Sequence, residues 1–218
     1  IVSVSGAGFG LMAIVVGAEQ GWIGRGQALE RVSRMLQSLS SVERFYGAFP
    51  HFVHAQTLTI LPFGRRDDGA DLVETSLFLQ GLICAREYFA GQASDETAFR
   101  ASVDQIMQGV EWSWFTRKKH GPLYWHWSPK HHWARNVPIT GWNEALNAYV
   151  LAAGAEHHAI KPESYHAGWA RHGEMVNGNT YLGTVLPLGE PFGGPLFLSQ
   201  YSFCGLNPFV LRDRYCDY

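Results

Sequence analysis

The chain has 218 residues, a net charge of −2, and 17% charged against 46% hydrophobic residues. Such a chain offers no basic field for nucleic acid, and its apolar content excludes disorder. Cys84, Cys204 and Cys216 stand far apart with no CxxC pair, which excludes a disulfide framework and a cysteine-rich zinc site.

Ile1–Ala18 is apolar but broken by Gly6, Gly8, Gly10 and Gly17, and no basic leader precedes it. It reads as neither a signal peptide nor a membrane span. The run from Val2 to Gly10 imitates a dinucleotide-binding turn, yet Leu11 takes the third glycine position. A loop lying tight against a buried helix explains these glycines better. Phe9–Glu19 then reads as a helix that is apolar almost all round. Arg25–Leu39 is amphipathic, with Ala28, Val32, Met35, Leu36 and Leu39 on one stripe. Asp71–Tyr88 has a charge-free interior from Thr75 to Ala85. Ser94–Glu111 is amphipathic again and Asn143–Ala153 apolar. Pro162–Ala170 is short, with Tyr165 and Trp169 on one side, and Gly194–Gly205 is a last apolar helix candidate.

Helices apolar all round belong inside and amphipathic ones outside. Three such pairs in succession predict an all-α fold with two concentric helical layers, a partial toroid. A closed ring of six pairs needs more chain than this, so residues 1–218 read as about half of one domain. The absence of an initiator Met points the same way, to a fragment of a longer chain. The intervening loops, 45–70, 112–141 and 172–193, are long enough to be functional. Short strands are expected within them at Thr57–Pro62, Tyr124–Trp127 and Thr180–Leu186, on the cleft face.

Four features carry chemistry. Asp67, Asp71 and Glu74 have spacings of four and three, so their carboxylates can converge just ahead of a charge-free helix. Crowded acids raise one another's pKa, as acid–base catalysis requires. Asp71 as N-cap with Glu74 three residues on is equally a capping box, and both readings stay open. Glu144 is the lone acid between Glu111 and Glu156 and enters an apolar helix beside Trp142 and Asn143; a solvated first-turn carboxylate is its structural alternative.

Six of the eight tryptophans lie between Trp112 and Trp142, and Tyr124-Trp125-His126-Trp127 alternates rings with hydrogen-bonding tips. Sugar rings suit such surfaces, although core packing claims some of these side chains. Ten histidines include His51, but HExxH is absent and the pairs are adjacent in sequence, which argues against zinc. Arg117, Lys118, Lys119 and Lys130 flank the aromatic loop as a solvated face, with an anionic ligand the second reading.

Taken in order, Ser5-Gly-Ala-Gly-Phe9-Gly, Phe49-Pro-His51, Pro62-Phe63, Asp71-Leu-Val-Glu74-Thr75, Leu123-Tyr-Trp-His-Trp-Ser128-Pro and Asn143-Glu144 resemble the glucoamylase-like (glycoamylase) domain. That family includes the β-1,2-glucanases of glycoside hydrolase family 144 and a domain of cyclic β-1,2-glucan synthases. The resemblance implies an (α/α)6 toroid that acts on β-1,2-linked glucose with no metal or other cofactor, its N-terminal helices expected ahead of Ile1 and its final ones after Tyr218. It implies that Asp71, Glu74, Glu144 and Asp67 are the acids of an inverting hydrolase. Glu144 is the expected general acid, with Asp71 and Glu74 positioning or activating water. Tyr124, Trp125, His126, Trp127, Trp142, Asn143 and His51 would line the sugar subsites.

The expected partner is an oligo- or polysaccharide, with no nucleic acid and no membrane span; the protein would be a monomer. The implied setting is the periplasm or exterior of a bacterium. The rival readings are a non-hydrolytic carbohydrate-binding or processing domain of a cyclic β-1,2-glucan synthase-like protein, and a helical toroid that binds a peptide or lipid.

Overall fold

The first 110 residues place long helices edge to edge. In a computed structural model that describes residues 1–117 and 120–218, the chain divides into two units. The first comprises Ile1–Val110 with His126–Arg135, the second Glu111–Trp125 with Asn136–Tyr218. Lys118 and Lys119 lie outside the described residues.

In the first unit, β1 (Val2–Ser3) leads into α1 (Val4–Glu19), followed by α2 (Arg25–Ser40), β2 (Phe52–Val53) and β3 (Ile60–Leu61). Strand β4 (Ala70–Asp71) precedes α3 (Leu72–Tyr88) and α4 (Ser94–Gln108); β5 (His126–Trp127) returns later to pair antiparallel with β4. Strands β1, β2 and β3 form a small antiparallel sheet with Val2 opposite Val53 and Phe52 opposite Leu61.

Helix α1 packs along α3; α2 lies against α1, and α4 lies against both α3 and α2. This gives two layers. Helix α2 buries Ala28, Leu29, Val32, Leu36 and Leu39, with Leu29 in place of the expected Met35, and α4 buries Phe99, Val103 and Ile106, the stripes of outer helices. Helix α3 is buried on nearly every side, from Leu72 to Leu82.

The N-terminal glycines differ from expectation. They lie inside α1, which begins at Val4 rather than Phe9, and the close approach is helix to helix. A Cβ on Gly8 would stand 2.4 Å from the Leu77 carbonyl oxygen, and one on Gly81 would stand 2.1 Å from that of Gly8. Glycine at both positions lets two backbones touch. Helix α1 is also less enclosed than its composition suggests: Ala13 is exposed, as is Val16 at 51%.

The second unit is less regular. It holds α5 (Leu146–Gly154), α6 (Pro162–Ala167) and a hairpin of β6 (Thr180–Tyr181) and β7 (Thr184–Val185). Proline at the first position of α6 forfeits no internal hydrogen bond. The helix expected over Gly194–Gly205 is absent. Two short 3₁₀ turns, Leu196–Ser199 and Ser202–Cys204, replace it. Gly193 and Gly194 have φ of 86° and 70° just ahead, Pro195 follows, and Leu196 is 68% exposed, so no enclosed apolar face rewards a continuous helix.

The core of this unit is aromatic. Trp112, Phe115, Tyr149 and Trp169 are fully buried. The Tyr149 hydroxyl accepts from the Leu123 amide at 3.0 Å and donates to the Ile139 carbonyl at 2.8 Å, tying two loop segments to α5.

Candidate active site

Two neighbouring helix N-termini gather the acids of the first unit. Asp71 caps α3: its Oδ1 accepts from the amides of Val73 (3.1 Å) and Glu74 (3.0 Å). The other half of the capping box is not made, because the Asp71 amide donates to the Phe49 carbonyl at 2.7 Å. The Glu74 carboxylate reaches α1 instead. Its Oε2 accepts from the Ser5 amide at 2.9 Å and from the Ser3 hydroxyl at 3.0 Å. Ser3 in turn caps α1 by accepting from the Gly6 amide at 3.1 Å. The positive ends of two helix dipoles therefore face these carboxylates.

Two imidazoles complete the cluster. His51 Nδ1 stands 2.8 Å from Asp71 Oδ2, and its Nε2 is 3.8 Å from Glu74 Oε1. His126, carried on β5 opposite Asp71, places Nδ1 3.1 Å from Asp67 Oδ2 and 3.6 Å from Asp71 Oδ2. Asp67 joins through a tight turn, with its amide bonded to the Gly64 carbonyl, and not through a helical step of four. Asp67, Asp71 and Glu74 are 3%, 0% and 8% exposed.

Burial raises the Glu74 pKa, and the nearby Asp71 charge raises it further against the opposing hydrogen bonds from Ser5. Burial works against a charged His51, but Asp71, Glu74 and Asp67 outweigh it and its pKa is raised. Neighbouring Asp68 serves a different end: despite some burial its carboxyl is held low by Ser128 and Lys130, which fold the 128–132 turn. Among the described residues no group of three or more His, Cys, Asp or Glu side chains is arranged to hold a metal ion, and no helix is long and apolar enough to cross a membrane.

The aromatic candidates divide. Trp127 is half-buried against Phe45, Tyr46 and His132 in the first unit. Tyr124 and Trp125 belong to the second, where the Trp125 amide donates to the Val137 carbonyl and the Arg117 guanidinium covers the Tyr124 ring, 4.6 Å from its centroid. Trp142 packs against Trp169, Phe203 and Tyr218. Asn143 turns its Oδ1 back to the Ala145 amide at 2.9 Å, an Asx turn that delays the start of α5 to Leu146. Glu144 therefore sits in the turn ahead of the helix, half-buried, and its carbonyl accepts from the Ser202 hydroxyl at 2.7 Å.

Sequence reasoning alone does not find Ser3 and Ser5 as partners of Glu74, or Ser202 as the partner of the Glu144 main-chain carbonyl. Ser3 offers one signal: a serine ahead of an apolar helix is an N-cap.

The chain resembles glucoamylase-like domains, and the family match falls on residues that follow this cluster in sequence. Residues 136–218 match the glycoamylase family, described as "Putative glucoamylase". The chain is 46% identical to an endo-β-1,2-glucanase from Chitinophaga pinensis, solved with sophorotriose and glucose. That match has a TM-score of 0.94 and covers 99% of this chain and 52% of that one. It is 39% identical to a β-1,2-glucanase from Parabacteroides distasonis, with a TM-score of 0.93, covering 100% of this chain and 34% of that structure. A Parabacteroides distasonis exo-β-1,2-glucooligosaccharide sophorohydrolase (non-reducing end) is 40% identical over 237 residues, spanning 100% of this chain and 33% of the relative. The chain thus spans between a third and about half the length of these relatives.

Proposed function

We propose that this chain is the acid-bearing part of a hydrolase that cleaves β-1,2-linked glucan with inversion. The observation that carries the reading is the buried cluster of Asp67, Asp71 and Glu74 with two imidazoles at paired helix N-termini. Its support from similarity is that the relatives are named as β-1,2-glucan hydrolases. The layering of the first unit, with α1 along α3 and with α2 and α4 outside them, is what one sector of an (α/α)6 toroid requires. The protein acts as a monomer on an oligo- or polysaccharide, outside the cytoplasm of a bacterium, and uses no cofactor.

Inversion is inferred from the spacing in sequence. An inverting enzyme keeps its two carboxyl groups about 6.5–9.5 Å apart to admit a water, and a retaining one about 5–5.5 Å. Asp71 and Glu74 sit three residues apart at one helix N-terminus, where Cβ atoms lie about 5–6 Å apart, close for straddling a sugar with its water. They supply the base side, and the acid comes from another segment; Glu144 is the nominee. Trp125 and its neighbours offer rings for sugar faces.

The decisive measurement is release of reducing ends from linear β-1,2-glucan, with the product anomer followed by NMR immediately after cleavage. Initial α-anomer supports inversion, and initial β-anomer refutes it. Glu144→Gln is expected to lose about 10²-fold or more in turnover with folding retained; full activity would place the acid elsewhere.

A further inference from the structure

The sequence suggests that His51 touches sugar, yet its Nδ1 is spent on Asp71, and its Nε2 lies 3.8 Å from Glu74 Oε1, within charge attraction but beyond a hydrogen bond. Nδ1 meets Asp71 Oδ2 at 2.8 Å, and because a carboxylate only accepts, Nδ1 must carry a proton. That fixes the tautomer and leaves Nε2 aimed at Glu74 Oε1, 3.8 Å away. Glu74 Oε2 is already occupied by Ser3 and Ser5. One proton therefore has two resting places, Nε2 and Oε1. Either His51 is cationic and Glu74 anionic, or both are neutral.

We propose that His51 is the positioning residue of the acid cluster, anchored on Asp71 through Nδ1 and sharing one exchangeable proton with Glu74, the two coupled by charge across the 3.8 Å from Nε2 to Oε1. The inference rests on the hydrolase reading for its kinetic consequence but not for its proton chemistry. Two rings clamp the imidazole in this pose. Phe63 stacks on it at 4.2 Å between centroids, and Phe52 meets it edge-on at 4.3 Å. The charged groups facing it are Asp71 and Glu74 at the start of α3 and Asp67 from the preceding turn; His126 on β5 faces the same Asp71 oxygen. The start of α1 contributes only the neutral Ser3 and Ser5. A His51 that binds its proton more firmly than usual supplies a cation beside these acids. Glu74 likewise holds a proton more firmly than usual, as a shared proton requires.

Imidazole NMR titration of the protein tests the sharing directly. His51 should titrate above the ordinary value of about 6.5 and should titrate lower in Glu74→Gln. An unchanged His51 titration in that variant overturns the proposal. Hydrolysis of β-1,2-glucan gives the second readout. His51→Asn keeps an amide donor for Asp71 but has nothing to hold the Nε2 proton. Its kcat should fall about 10- to 100-fold with KM within about twofold, its thermal melting unchanged and the acid limb of its pH profile shifted. A raised KM with normal kcat would make His51 a sugar contact and overturn the proposal. If the unaltered protein does not hydrolyse the glucan, the hydrolase reading fails while the titration still decides the proton sharing.

Discussion

The two units hold polar groups in opposite ways. The first uses long helices: α1 and α3 touch at backbone distance and deliver their N-terminal amides to Glu74 and Asp71. The second uses rings and turns. Tyr149, Trp142, Trp169, Phe203 and Tyr218 pack it together, and seven of the ten non-glycine residues with positive φ among the described residues lie there: Arg117, Asn136, His158, Arg171, His172, Leu182 and Phe192. Helix dipoles are fixed partial charges and can hold buried acids; aromatic packing fixes shape and needs only an occasional hydroxyl to tie its loops. The difference teaches that acid chemistry and aromatic surface have separate foundations, so they should fail separately.

Breaking the first foundation should cost most. Gly81→Ala drives a methyl into the Gly8 carbonyl and should destabilise the fold by about 3 kcal/mol or more, read by denaturant melts. Glu74 should lose its contact with Ser5 in the same variant. The aromatic counterpart is Trp142→Ala, expected to cost about 3 kcal/mol while the imidazole spectrum of His51 stays put. Movement of that spectrum would show that the two foundations are not independent.

A smaller cut is Tyr149→Phe. It strands the Leu123 amide and the Ile139 carbonyl in a buried site and should cost about 1–3 kcal/mol by the same melts. The smallest effect is a pH slope. Glu74 and His51 both have raised folded-state values, so each stabilises folding fully below its ordinary value. That contribution is lost as pH rises through the raised one. Thermal melting should therefore decline from acidic pH into the neutral range, and Glu74→Gln should flatten the decline. A steeper slope in the variant would contradict the assignment.

Sequence reading succeeds where one pattern decides the outcome. The stripes of α2 and α4 and the charge-free run of α3 are periodicity read on a single helix, and they appear at Arg25–Ser40, Ser94–Gln108 and Leu72–Tyr88. It fails where two elements compete. Asn143 has the look of a helix opening, but its side chain bonds the Ala145 amide and postpones α5. Leu196–Ser199 is helical by composition, and flanking turns cut it short. The neighbouring of Asp71 and Glu74 at one helix start is legible from their spacing, but Asp67 arrives through a turn that a step of four does not describe. That His51 and His126 complete the cluster is not legible, because β4–β5 pairing joins Asp71 to His126 across 55 positions and no local rule announces it.

The contact between Gly8 and Gly81 acts as an alignment pin. Sliding α1 by one residue moves it about 1.5 Å along its axis and turns it by about 100°. Ala7 or Phe9 would then meet the backbone of α3 where only a glycine fits. One turn earlier, the same register delivers the Ser5 amide to Glu74. A single residue inserted between Ser5 and Gly8 would leave the pin seated and rotate Ser5 away from the carboxylate. The tolerance of this helix pair to insertion is thus nil over those three positions.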